Sequence, residues 1–462
     1  MRDERITRLI QEAETLRYSR RTALKRAVAL GLSVPVVSAA LDASAASAAP
    51  GIRTFGKAPN QNKGTKLNVL AGTYYVPDAQ DLFKQQLDTW GKQNNVETTA
   101  DFVQWTDLQT KIGASVNSKA GADIIEMWDT WPYLYYKNLV DVNDMVGKLG
   151  QDGGGYYDWV EKTASVDGHY YSVPTGTFSS AFAYRVSYFK QAGADTFPTT
   201  WEDLFKVGKE LKAMGKPIGQ ALGHSTGDPP NFCYSYMWAY GAMEVQEDGK
   251  TVAFNQPQFV DGMKTFIQAW KDAFDDTGLS WDDSVNNEAF LSDQISATIN
   301  GASIYLAALK PASEGGKPDI VKDINTAGYP EGPAGRFANL GCHSLGVMSY
   351  SKNVDGAKAF LEWWTQPEQF QAWLKAYGGY DLTPLPKYLD MPVYTADPKM
   401  APYSEVAKYA RNKGYAGPAN QKAAEAYSKY IVIDAFAKAI QDNDAEGAIK
   451  QAAQQLERIY NR

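Results

Sequence analysis

The chain has 462 residues, 44% hydrophobic and 21% charged. These are values of a soluble globular protein, and the length exceeds what one hydrophobic core usually fills, so two lobes are expected. A net charge of −7 without a basic run in the body of the chain speaks against a nucleic-acid partner and mildly against an acidic substrate.

The N-terminus carries an export pattern. Ser19-Arg20-Arg21-Thr22-Ala23-Leu24-Lys25 resembles the twin-arginine signature, followed by the apolar run AVALGLSVPVVSAAL (27–41) and small residues ending near Ala45 or Ala48. The run is about fifteen residues, short of the roughly twenty that span a bilayer, and holds Pro35. Residues 1–48 are therefore expected to be a cleaved twin-arginine signal and 49–65 a leader. No cysteine lies near the cleavage points, so no lipid anchor is expected.

KLNVLAG (66–72) reads as a strand. In the segment 77–94, Leu82, Phe83, Leu87 and Trp90 mark one helix face. VETTADFVQW (96–105), LQTKIGASVNSKAG and ADIIEMW (122–128) continue the alternation as strand, helix and strand. Such alternation predicts mostly parallel sheets flanked by helices, with ligand beyond the carboxyl ends of the strands. Thr73, Tyr74 and Tyr75 follow the first strand, Trp105 ends the second, and Trp128, Asp129 and Trp131 follow the third. A hairpin-like pair at 166–189 leads into a helix at 198–215, with Thr199 or Thr200 as N-cap. Helical pattern returns at 231–243, 256–274 and 287–302. Residues 337–351 are strand-like, 354–379 helical, and two further helices close the chain.

The 28 tyrosines and 12 tryptophans are numerous. Their apolar faces and polar tips suit both core filling and sugar rings. MWDTW places an acceptor, Asp129, among stacking candidates Trp128 and Trp131. A second use of Asp129, capping the helix that opens at Pro132, stays open. No GxSxG elbow surrounds a serine, and Cys342-His343 would point to opposite faces of a strand, so catalysis is not expected. Glu126 beside Asp129 is the best carboxylate pair for glycoside hydrolysis. Cys233 and Cys342 are too few for a disulfide scaffold and lack zinc-ligand spacing. One disulfide between them stays open, His169, His224 and His343 are scattered, and neither metal nor cofactor is expected.

Four stretches in order resemble the family 1 extracellular solute-binding proteins of ABC transporters, the maltose-binding-protein group. They are GADIIEMWDTWPYLYYKNLVDVND, VDGHYYSVP with AYRVSYFKQAGADTFPTTWEDL, FLSDQISATINGAS, and LGCHSLGVMSYSKNVDGAKAFLEWW. Gln294 and Cys342-His343 depart from the family pattern. The resemblance implies an α/β fold of two lobes (type II, Venus-flytrap), residues 66–175 plus 329–380 and 178–326 plus 384–462. Crossings are expected near Pro174–Thr177, Ala327–Pro330 and Gly379–Pro384, where Gly and Pro cluster. It implies a monomeric periplasmic receptor that binds a small polar ligand, a sugar first, and docks on permease subunits. It also places Phe178, Asn231, Tyr234, Ser303 and His343 at ligand-facing positions, with Tyr427 or Tyr430 as a further aromatic. A cationic solute, or a secreted carbohydrate-active enzyme, are the alternatives.

Overall fold

The computed structural model describes residues 65–462. The expected signal peptide and leader, apart from Thr65, lie outside those residues. Its first half builds β1 (Lys66–Gly72), α1 (Pro77–Asn94), β2 (Glu97–Val103), α2 (Trp105–Ser118), β3 (Ile124–Met127), α3 (Trp131–Tyr135), β4 (Val173–Phe178) and β5 (Ala181–Arg185). The α1 helix forms because Phe83, Leu87 and Trp90 recur at helical spacing and are all buried. It stops at Asn95, whose left-handed φ of 58° returns the backbone N–H to Gly91.

The second half adds α4 (Trp201–Ala213), α5 (Asp228–Ala239), α6 (Pro257–Ala273), α7 (Val285–Leu291), β6 (Ala297–Asn300), α8 (Ser303–Ala308), β7 (Ile324–Ala327) and β8 (His343–Val347). Then follow α9 (Val354–Trp364), α10 (Pro367–Ala376), β9 (Asp381–Leu382), α11 (Gln421–Ser428), α12 (Ile431–Asp442) and α13 (Ala445–Tyr460). Thr200 caps α4 by accepting the Asp203 N–H at 3.1 Å. The α5 helix is buried along its whole length, as an apolar helix with no polar face must be.

Two sheets organise these elements. One has the order β9-β4-β8-β3-β1-β2, the other β6-β5-β7. The expectation of mostly parallel sheets needs correction. Only the β1–β2 and β1–β3 pairs are parallel, while β8 runs against both β3 and β4, β9 against β4, and β5 against both its neighbours. The physical reason is the direction of entry: a parallel pair requires a crossover returning the chain to the same end. Strand β8 instead starts at the end where β3 and β4 finish.

Other differences are local. The chain changes sheets at Ser179-Ser180, between β4 and β5, whereas Pro174–Thr177 lie inside β4. The stretch 287–302, expected as helix, ends its helix at Leu291 and becomes β6, because Ala297-Thr298-Ile299-Asn300 pairs with β5. Ser303 accordingly opens α8, and Trp105 opens α2 rather than ending a strand. Cys233 and Cys342 are both buried free thiols. Among the described residues no helix is long and apolar enough to cross a membrane, and no group of three or more His, Cys, Asp or Glu could hold a metal ion.

Candidate binding cleft

Successive residues of an extended chain point to opposite sides, and at the end of β1 this separates two tyrosines. Tyr74 packs into the core against Phe83, Phe102, Trp373 and Tyr377, with ring centroids 5.2–6.5 Å away. Tyr75 turns the other way, with its ring 6.0 Å from that of Tyr380, and lines a cavity with Trp128 and Phe178. Trp128, at the tip of β3, lies 6.1 Å from Phe178, which ends β4 and lies 5.5 Å from Tyr380. The first sheet thus presents four aromatic rings.

The facing wall comes from the start of α5 and the tip of β6, with Gly227, Asp228, Asp283, Asn300 and Ser303. Asp283 accepts the N–H groups of Gly227 (3.0 Å) and Asp228 (2.8 Å) and the Ser225 hydroxyl (2.8 Å), so it caps α5 from another loop. Asp228 accepts from Asn286 at 2.7 Å and Asn300 at 3.1 Å through Oδ2, while its buried Oδ1 has no partner. Ser303 donates to Asn300 at 2.8 Å and accepts from Asn287 at 2.9 Å. Burial, with Asp283 alongside, pushes the Asp228 carboxyl well above its ordinary range, and burial raises Asp283 too. The two walls nearly meet. A Cβ at Gly301 would sit 2.5 Å from the Phe178 ring and 2.6 Å from that of Tyr380, and the cavity encloses only about 10 Å³.

Of the residues singled out by sequence, Tyr75, Trp128, Phe178 and Ser303 line this cavity. Others stand behind it. Trp105 donates from its indole to the Thr73 carbonyl (3.0 Å), meets Trp128 edge-on at 4.7 Å and stacks on His343 at 5.3 Å. His343 is buried, with Nδ1 3.1 Å from Asp381, and its ring also lies 4.5 Å from that of Trp128. Tyr427 donates to the Thr226 carbonyl at 2.7 Å. Asp129 does not cap α3. Held at φ 47°, it forms a buried ion pair with Lys413, whose ammonium lies 4.7 Å from the Tyr427 ring centre.

Tyr74, Trp131, Asn231 and Tyr234 face the core rather than the cavity. Trp131 is 1% exposed, Asn231 accepts from Asn339 at 2.8 Å, and Tyr234 donates to Glu244 at 3.0 Å. Neighbours in sequence take the wall positions instead. Asp228 lies one turn before Asn231, Asn300 lies in the quoted INGAS stretch, and Tyr380 in the expected Gly379–Pro384 crossing. Asp283 carried no signal in the sequence.

Beneath the aromatic wall, Glu126 accepts the Gly72 N–H at 3.1 Å. Burial raises its carboxyl to about 8, against the lowering effect of His343 and that hydrogen bond. Burial opposes charge on His343, but Asp381 and Glu126 outweigh it and hold the imidazole above its ordinary value. Glu126 thus holds the end of β1, while Asp129 is held by Lys413.

The comparisons with known proteins agree with this architecture. The family model described as bacterial extracellular solute-binding protein matches residues 85–402. The diacetylchitobiose binding protein DasA of Streptomyces coelicolor is 23% identical over 269 residues, 56% of this chain and 60% of that protein. A binding protein of Brucella abortus is 20% identical over 273 residues, 58% of this chain. The chain spans 64% of the length of that relative. A sugar transporter from Arthrobacter chlorophenolicus, solved with bound laminaribiose, superposes with a TM-score of 0.73 at 17% identity, covering 85% of this chain and 98% of that one. Maltose-bound MalE3 of T. maritima gives 0.71 at 19% identity, covering 85% and 99%. The fold is therefore the two-lobed α/β fold of these binding proteins. With a matched stretch that takes in most of the chain and, apart from Tyr75, both facing walls of the cleft, the protein belongs to the bacterial extracellular solute-binding proteins.

Proposed function

We propose that this protein is the solute-binding receptor of an ABC importer, taking a small polyhydroxylated solute, a sugar or short oligosaccharide, between its lobes and presenting it to permease subunits. One observation carries the reading: the rings of Tyr75, Trp128, Phe178 and Tyr380 face Asp228, Asn300 and Ser303 across a narrow gap. A sugar needs both surfaces, apolar faces for its C–H groups and planar acceptors and donors for its hydroxyls. Relatives of the same architecture, solved with laminaribiose and maltose, support a sugar.

The lobes in this reading are 66–175 with 329–380, and 178–326 with 384–462. Export through residues 1–48 and a freely diffusing periplasmic monomer without catalysis complete it. The cavity lies far below the roughly 300–1,000 Å³ of small-molecule sites, so the solute enters with the lobes parted. Contacts to both walls then favour the closed population, which the permease reads.

Thermal-shift screening against neutral sugars, polyols, amines and amino acids tests this. A solute at a thousandfold excess over its Kd stabilises the fold by about 4 kcal/mol, a shift of several degrees. Stabilisation by amino acids alone, with no response to any sugar, polyol or amino sugar, would remove the sugar reading. Conversion of a glycan into products during incubation would replace the receptor by an enzyme.

A further inference from the structure

The cleft contains a buried carboxyl with no counter-charge beside it. Asp228 is 1% exposed, its Oδ2 is held by two neutral amides from Asn286 and Asn300, and its Oδ1 has no partner although the residue lines the cavity. The adjoining carboxylate, Asp283, is satisfied entirely by neutral donors. The Lys413 ammonium is engaged elsewhere, by Asp129. Around this carboxylate stand Tyr75, Trp128, Phe178 and Tyr380, whose faces attract cations.

We propose that the solute carries a protonated amine beside its hydroxyls, an amino sugar in chemical class, with the ammonium seated between the Asp228 carboxylate and the rings of Tyr75 and Tyr380. This rests on the receptor reading above and narrows its substrate class. A neutral sugar would gain only hydrogen bonds at Oδ1, with the Asp228 carboxyl still protonated. An ammonium supplies both a donor and the charge, and the rings receive its remaining N–H and C–H groups.

The proton balance follows. Burial and the adjoining Asp283 raise the Asp228 carboxyl, and Asp282 adds to the same field. The other titratable groups that feel Asp228 are Tyr75, Tyr380, Tyr403 and Tyr329, all of which stay protonated because burial raises them. Without a cation Asp228 keeps its proton. Binding of the ammonium gives a carboxylate–ammonium pair and releases that proton to solvent, so affinity rises with pH until the free amine itself loses its charge.

Titration calorimetry with glucosamine and its β-1,4 disaccharide, each against the matching glucose and N-acetylglucosamine compounds, tests the proposal. We expect the amines to bind at least tenfold more tightly than both neutral counterparts, with proton release detected from the buffer dependence of the heat. Asp228→Asn should abolish the preference. Because that variant could lose its fold, the wild-type protein is also titrated at about pH 5 and about pH 7, where the amine stays largely protonated and its preference should grow with pH. Equal or tighter binding of the neutral sugars overturns the amine while leaving the sugar receptor intact. Binding of none of the six compounds overturns the amino-sugar assignment, and the wider thermal-shift screen then decides the receptor reading separately.

Discussion

Asp129 and Lys413 form an ion pair in which each side chain is 2% exposed, joining the tip of β3 to the segment that precedes α11. The pair is reinforced by shape: a Cβ at Gly341 would come within 2.0 Å of the Asp129 carboxyl. With Gln109 of α2 donating to Ser428 of α11 at 3.0 Å, it links the first sheet's helices to the C-terminal helices.

Removing Lys413 leaves the Asp129 carboxyl buried without its partner. Lys413→Met alone should cost about 3–5 kcal/mol of stability, and the double variant Asp129→Leu with Lys413→Met should recover most of it. Urea unfolding of the single and double variants checks this; equal losses in both would mean the pair is not the source.

The two tyrosines after β1 should behave differently. Tyr74→Ala is expected to lower stability by about 3 kcal/mol through the cavity it leaves among Phe83, Phe102 and Trp373. Tyr75→Ala should instead weaken solute binding tenfold or more, measured by calorimetry, with a smaller change in unfolding midpoint. The reverse pattern would place the wrong tyrosine in the cleft.

Gly301 sets how closely the walls approach. Gly301→Val puts carbon where the Phe178 and Tyr380 rings lie, so the variant should favour a more open form. Small-angle scattering should give a larger radius of gyration than wild type, and solute affinity should fall; an unchanged radius with unchanged affinity refutes the steric argument.

Stability should decline as pH rises from about 5 to 8.5. Glu126, held near 8, and Glu244, held near 7, both keep protons in the native state that the unfolded chain has already released. His343, raised above its ordinary value, acts in the same direction at the upper end of that window. For these three groups the folded protein binds more protons than the unfolded chain, so through them each added pH unit favours unfolding, while Lys413, which burial holds well below its ordinary value, acts the other way. Glu126→Gln should flatten the urea-midpoint profile between about 4.5 and 8; a profile as steep as wild type would assign the slope elsewhere.

Cys233 and Cys342 are buried, and burial pushes both thiols up. The native protein should react with neither equivalent of a thiol reagent, while the denatured chain should react with two without prior reduction. Fewer than two would indicate a disulfide.

What the sequence determined by itself was local. The periodicity of Phe83, Leu87 and Trp90, a threonine cap at 199 or 200 and the bounds of β1 and α1 are written in spacing and residue type, because neighbours within a turn or a strand decide them. Strand direction and side-chain partners were decided by tertiary structure alone. Nothing near Asp129 in the chain reveals that Lys413, 284 residues away, neutralises it, or that Asp283 caps a helix 55 residues earlier. The strand-tip rule found Tyr75 and Trp128, and the family resemblance Phe178, but the rule could not separate Tyr75 from Tyr74. Which face of an extended chain meets the cavity depends on the register of the sheet, and that register is fixed only when distant strands pair.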